Sequence, residues 1–424
     1  MHRSIEVDWI LWPYDLQGSR ARLEILLRAG LLSREEGDQL ARAMDELQAE
    51  ISGGEHAIAG EDEDVHGWLE RLLCAKLGPL GAAPHSGRSR NEQILLDVKL
   101  FLIGHAEGWM AALRALLEQL KELERSAADV VMPGYTHLQR AQPLFLRQYW
   151  RAHRHTWTRR LKAVAAWLAE AREECPMGAG AINGSTLGLD HEAEAHILGF
   201  RHACESPLAM VSLRSEWFAY AALTVHWMLE VSRLLEDLIL WNTAEFSFIR
   251  LNDSVTTGSS MMPHKRNPDL CELLRGKTST ALGQYTGLLG LTKGLPSGYM
   301  KDLQEDKPLL FALCRQLDAF LLGLPAILAA VEIRSSEMEK AAADPLLLAT
   351  DLMEFLLTQG VPLRRAHHQV AEWVAAAPNQ GGLEKLARSQ LPHLPADFFE
   401  TRRSCRLRER GSAEKFMGWK EPFL

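Results

Sequence analysis

The sequence predicts an all-α chain built around a bundle of long helices. Leu, Ala, Glu and Arg dominate, apolar residues recur at spacings of three and four, and strand-like alternation is scarce. The helical pattern also runs long, from Leu95 to Val131, Leu144 to Glu174 and Leu213 to Trp241. A usual globular helix has only about 11 to 12 residues. Helices of such length bury their apolar stripes against one another. In the third run Tyr220, Leu223, Trp227 and Val231 follow at helical spacing and line one such stripe.

With 424 residues and 47% hydrophobic content, the chain can bury a large core spread over two or three units. The pattern suggests an N-terminal helical domain at 1–87, a central helix bundle at 88–338 and a C-terminal helical domain at 339–424. Short segments dense in Gly, Pro, Ser, Thr and Asn separate the helices: His85 to Gln93, Met132 to Gln142, Gly178 to Asp190 and Thr256 to Asp269. Chemistry is expected in these loops.

Several function classes are excluded by pattern. The net charge of -8 arises from 47 basic and 55 acidic residues mixed along the chain, which argues against a nucleic-acid partner. Cys74, Cys175, Cys204, Cys271, Cys314 and Cys405 form no C-x-x-C pair and read as buried reduced thiols. Met1, His2 and Arg3 lead quickly to Glu6 and Asp8, unlike a signal peptide, so a cytoplasmic location is expected. The apolar run Ala319 to Val331 is interrupted by Pro325 and falls short of the roughly 20 residues that cross a bilayer. It reads as a core helix, with no membrane partner.

Gly276-Lys277-Thr278 ends like a phosphate-binding loop, but Cys271 stands where the first glycine is required. Gly178-Ala179-Gly180 places its third glycine at Gly184, one position late for a dinucleotide fingerprint. His153 with His155, and His367 with His368, lack metal-site spacing. Neither a cofactor nor a metal is expected.

The most informative segment is Gly258 to Asp269, with a Gly-Ser-Ser start, Pro263 and Pro268, and the cations Lys265 and Arg266. A serine here becomes a base if a lysine and oriented backbone N–H groups stabilise its alkoxide. The other reading is a solvent loop capping the next helix. Arg88-Ser89-Arg90-Asn91 offers two guanidiniums and an amide, a clamp for a multiply carboxylated ligand unless the arginines simply pair with acidic neighbours. Pro133 to Pro143 brings Thr136 and His137 together ahead of a helix. A facing carboxylate from Glu272 would fix the imidazole tautomer, although spacing does not supply that pairing. The run Glu61 to Asp64, followed by His66 and Glu70, suits a helix start or a cationic substrate group. Lys301 to Lys307, after Tyr299, reads by itself as a solvated turn.

Taken together these segments resemble the argininosuccinate lyase branch of the fumarase and aspartase superfamily, over nearly the whole chain. Gly258 to Pro268 is similar to the superfamily's flexible signature loop, and Met132 to Pro143 and Gly87 to Asn91 to that branch's own patterns. Thr350-Asp351-Leu352, Gly360-Val361-Pro362 and Ala366-His367-His368 agree as well. The resemblance implies a three-domain subunit with a long central bundle, a homotetramer whose active sites each join three subunits, and a small-molecule substrate. It implies reversible β-elimination of argininosuccinate to arginine and fumarate. Ser259 then matches the base, Lys265 and Asn267 the groups that hold the dianion, and His137 with Glu272 the acid–base or orienting pair. Arg90 and Asn91 match substrate-carboxylate binders, with Thr136 beside His137. Ser4, Asp8, Asp62, Asp64, Tyr299, Gln304 and Lys307 match the positions that hold the arginine-like half.

Departures from the pattern bear on substrate preference more than on reaction class. Arg22 stands where the family commonly has His, Glu92 where it commonly has Asp, and His264 and Arg266 alter the signature loop. Leu213 and Ser215 flank Arg214 where acidic residues are usual. Two other functions fit the same fold: a lyase for another N-substituted aspartate, and a non-catalytic homologue, which the intact Ser259 loop opposes.

Overall fold

The computed structural model describes residues 3–56, 58, 62–377 and 381–416, with side chains as far as 409 in the last stretch. Helices dominate. Five long ones, Arg90–Ser126, Leu146–Ala171, Ser215–Trp241, Asp269–Thr292 and Asp306–Ala329, carry the architecture. The first begins five residues before the expected Leu95 because Ser89 and Glu92 start it. Ser89 N–H donates to the Glu92 carboxylate at 3.0 Å, the return bond of a capping box. Pro325 does not end the last of these helices, which continues to Ala329.

By Cα proximity the chain forms two compact units, each discontinuous in sequence. One comprises Met1–Arg114, Arg159–Ser232 and Leu274–Leu322; the other comprises Ala115–Thr158, Arg233–Leu273 and Gly323–Leu424.

In the first unit Trp109, Tyr220 and Trp227 are fully buried. Trp167 packs on Tyr220 with centroids 4.8 Å apart, and Trp227 lies 5.8 Å from Trp109. The stripe expected on the Ser215–Trp241 helix is therefore a packing face, with Tyr220, Trp227 and Val231 at 0% exposure. Three N-terminal helices, Trp12–Arg28, Arg34–Ser52 and Val65–Leu77, bury Leu16, Ile25, Leu40, Met44 and Trp68. Each such side chain contributes about 1.5 to 3 kcal/mol.

In the second unit the C-terminal helices Ala349–Thr358, Leu363–Ala376 and Gly382–Gln390 close over Leu352, Leu356, Ala366, Val370 and Leu383. The segment read as a loop, Met132 to Gln142, is instead most of a β-hairpin: Val131–Thr136 pairs antiparallel with Gln139–Phe145. Sequence periodicity misses it because Pro133 faces Pro143 and the register shifts between Pro133 and Tyr135. Gly134 sits at that bulge, where a Cβ would stand 2.7 Å from Leu144 and 2.9 Å from the Gln142 carbonyl.

Two helical stretches, Arg90–Ser126 and Lys301–Ala329, are long and apolar enough to cross a membrane by length and composition, more than the run Ala319 to Val331 alone suggested. Buried charges within them, Asp97, Lys99, Asp306 and Lys307, and the buried Trp109 and Phe320 belong to a protein core. All six cysteines are free; four are buried, and Cys74 and Cys204 are half-buried.

Candidate active site

The expected site residues divide between the two units. Ser4, Asp8, Asp62, Asp64, Arg90, Asn91, Tyr299, Gln304 and Lys307 belong to the first; Thr136, His137, Ser259, Lys265, Asn267 and Glu272 belong to the second. The structure thus splits the expected set between the two units.

In the first unit Ser4 precedes a short helix and its hydroxyl donates to Asp8 at 2.6 Å. Asp8 also accepts from Val65 N–H, so it is buried and ties the chain start to the acidic segment. Burial raises its pKa above the usual carboxylate range. Asp64 caps the Val65–Leu77 helix through Gly67 N–H and meets Arg90 Nε at 3.2 Å. Asp62 receives both prongs of Arg71, at 2.9 and 2.7 Å, and those hydrogen bonds hold its pKa down. Arg90 also donates to Gln93, and the Asn91 amide donates to the Ala181 carbonyl at 3.2 Å.

The segment read as a solvated turn is only partly so. Lys301, Asp302 and Glu305 are exposed, but Asp306 and Lys307 are buried at 2%. Asp306 accepts from Arg214 Nε at 2.9 Å and from Lys307 at 3.3 Å, so Arg214 supplies a second cation to that carboxylate. Tyr299 is half-buried, which pushes its phenol pKa up. Gln304 donates to the Arg3 carbonyl at 3.5 Å. Acceptors for a cation and donors for carboxylates therefore occur in one unit.

In the second unit His137 and Leu138 form the two-residue turn of the hairpin, with φ of 55° and 57°. Such turns normally take Asn or Gly, and two bulky residues there carry backbone strain of the kind kept for a function. Thr136, His137 and Leu138 are all exposed. Among the described residues His137 makes no hydrogen bond or ion pair within the chain, with Glu272 or any other group. Glu272 lies exposed in the first turn of the Asp269–Thr292 helix.

The Gly258 to Asp269 segment begins with a minimal ladder, Thr257 against Asn267 and Gly258 against Arg266. That pairing closes the loop so that Ser259 Oγ accepts two backbone N–H groups, from Met261 at 3.3 Å and Met262 at 3.0 Å. Two fixed donors on one hydroxyl oxygen favour its deprotonated form. Lys265 is exposed and Asn267 half-buried.

Sequence reasoning missed a buried cluster. Asp15, His66 and Asp97 bring three possible ligand atoms within 4.8 Å of one another. A metal ion does not fit them. Asp15 already accepts from Gln93 at 2.7 Å, Ser19 at 3.2 Å and His66, and Arg88 stands 3.6 Å away. Burial and the neighbouring Asp15 charge push the Asp97 pKa well above the usual range, whereas its partners pull that of Asp15 down despite burial. Arg88 belongs to this buried cluster, donating to Ser19 at 3.3 Å beside Asp15. His66, next to the acidic run, was its visible signal.

Two family models match the sequence: "Lyase" over residues 2–283 and "Argininosuccinate lyase C-terminal" over residues 346–404. Argininosuccinate lyase from Carboxydothermus hydrogenoformans is 40% identical, over 94% of this chain and 88% of that protein. Argininosuccinate lyase from Clavibacter sepedonicus is 41% identical, over 94% and 82% respectively. Among solved structures, EDDS lyase in complex with formate aligns with a TM-score of 0.75 at 24% identity, covering 92% of this chain and 80% of that one. A fumarate lyase:delta crystallin from Brucella melitensis aligns with a TM-score of 0.76 at 17% identity, covering 96% and 92%. At these identities the structural likeness speaks for the fold.

Proposed function

We infer that this chain, which belongs to the argininosuccinate lyase family of the fumarase and aspartase superfamily, cleaves argininosuccinate reversibly into arginine and fumarate. It is a carbon–nitrogen lyase that releases fumarate. The observation that carries the residue assignment is the pair of backbone N–H groups on Ser259 Oγ.

A proton beside a carboxylate is weakly acidic, so its removal requires an aci-carboxylate to be stabilised as it forms. In this reading Ser259 removes that proton while Lys265 and Asn267 hold the dianion. Arg90 and Asn91 bind the succinyl carboxylates, and Thr136 and His137, with Glu272 as partner, orient the substrate or move a proton. Ser4, Asp8, Asp62, Asp64, Tyr299, Gln304 and Lys307 receive the arginine half. Closure of the Ser259 loop excludes water before elimination.

The exposed, unpartnered His137 supports a homotetramer whose sites are shared among subunits. The three domains keep their boundaries near 87 and 338 in this reading. Six free thiols suit a reducing, cytoplasmic setting. No cofactor, metal, nucleic acid or membrane enters the reaction.

The test is release of fumarate and arginine from argininosuccinate by wild type and by Ser259→Ala. The variant is expected to fold and to lose about 10²- to 10⁴-fold in rate. Retained turnover would remove Ser259 as the base; wild-type activity only on another N-substituted aspartate would change the substrate. A stable monomer in light scattering would end the shared-site reading.

A further inference from the structure

We propose that Glu92 is a positioning residue for the elimination, locking the Gly178 to Asp190 loop against the Arg90–Asn91 end of the substrate site. The proposal rests on the reading that Arg90 and Asn91 bind the substrate's carboxylates. Its own ground is a set of bonds that a helix cap does not need.

Glu92 is fully buried, and its two carboxylate oxygens have different tasks. Oε1 accepts Ser89 N–H at 3.0 Å, which completes the start of the helix. Oε2 accepts Gly178 N–H at 2.8 Å and Gly180 N–H at 2.7 Å, some ninety residues away in sequence. All three donors are backbone groups, so the bonds hold two chain segments in register. The neighbouring Asn91 grips the same loop through the Ala181 carbonyl at 3.2 Å.

The loop is shaped for that grip. Gly178 and Gly180 have φ of 100° and 58°, a region that suits glycine. A Cβ on Gly180 would stand 2.6 Å from the Gly184 carbonyl oxygen, and one on Gly178 would stand 2.8 Å from His191. At the other end of the contact, a Cβ on Gly87 would meet Leu187 at 2.7 Å and Ser185 Oγ at 3.3 Å. Two of the four polar segments singled out in the sequence thus pack together, with Glu92 at the joint. Asn183, Ser185 and Thr186 remain exposed on the loop. A glutamate, one methylene longer than the aspartate common at this position, reaches the helix start and both glycines at once.

The experiment uses the full chain in its native assembly. Glu92→Gln keeps the length but turns an NH₂ toward backbone donors; Glu92→Asp keeps the acceptors but shortens the reach. For Glu92→Gln we expect KM for argininosuccinate to rise about tenfold while kcat changes less than about threefold, as a displaced binding group predicts. Amide hydrogen exchange over residues 176–190 should accelerate. Glu92→Asp should fall between Gln and wild type in both measurements. Ser33→Ala, which breaks a similar capping box on the Arg34–Ser52 helix, provides the comparison for lost stability alone. It should lower the unfolding midpoint and leave KM unchanged. A Glu92→Gln protein that loses stability but keeps its KM and its 176–190 exchange would overturn the proposal. Arg90→Ala separates the two layers: a raised KM there with none in Glu92→Gln sinks the Glu92 role alone. An unchanged KM in both removes the carboxylate-binding reading and the proposal with it.

Discussion

Arg22→Met would strand the Glu194 carboxylate in the protein interior. Both side chains are fully buried, and Arg22 Nε donates to Glu194 Oε1 at 2.8 Å. The remaining oxygen meets His191 Nδ1 at 3.1 Å, and Arg22 also reaches the Ser86 carbonyl at 3.5 Å. Removing one member of a buried pair costs about 3 to 5 kcal/mol, because the other charge loses its compensation and does not regain water. Replacing both members by apolar groups of similar volume removes the desolvation cost as well and is about neutral, or stabilising by a few kcal/mol. The coupling energy between Arg22→Met and Glu194→Leu is therefore about 3 kcal/mol or more. Urea unfolding of the four proteins at one fixed protein concentration measures it, since the midpoint also reflects assembly. A double variant as damaged as Arg22→Met, or an Arg22→Met cost below about 1 kcal/mol, would refute the argument.

Two further outcomes are expected. Asp62→Ala should weaken argininosuccinate use about tenfold or more, the scale of a charge-assisted hydrogen bond, with little change in fumarate inhibition; equal losses in both would count against Asp62 as an arginine-end contact. His153, half-buried against Tyr149 and Trp157 and near Arg233, has its pKa lowered from the ordinary 6.5 to about 4, chiefly by desolvation. Its stability contribution is present above the unfolded value and is lost as pH falls from 6.5 toward 4. A difference of that size is worth about 3 kcal/mol. His153→Phe keeps the ring packing and should flatten this part of the stability profile. An unchanged slope between those values would show that His153 does not drive it.

The helical class and the long central helices were legible in the sequence, because they depend on local propensity and on apolar residues at helical spacing; the signature loop was legible through its family resemblance. Gly258 to Asp269 also announces itself locally: glycine and prolines prevent a helix, and closely spaced cations make the loop attractive to anions. The hairpin from Val131 to Phe145 was not legible. Its prolines and bulge erase the alternation that marks a strand, and its two-residue turn uses His137 and Leu138 where Asn and Gly are usual. A capping box explains the helix start at Arg34 and the Ser89–Glu92 bond that at Arg90, but the second use of Glu92, on Gly178 and Gly180, depends on a fold that returns the chain there.

Ion pairs divide in the same way. Sequence spacing indicates Arg28 with Glu24 or Arg388 with Glu384, one helical turn apart and largely exposed. It does not indicate Arg22 with Glu194, Arg214 with Asp306, or Asp15 with His66 and Asp97. The sequence by itself determined the helical class, the long helices and the family. Tertiary structure decided which charges are buried together, because desolvation and pairing depend on what surrounds a group in space, and chain order does not state that.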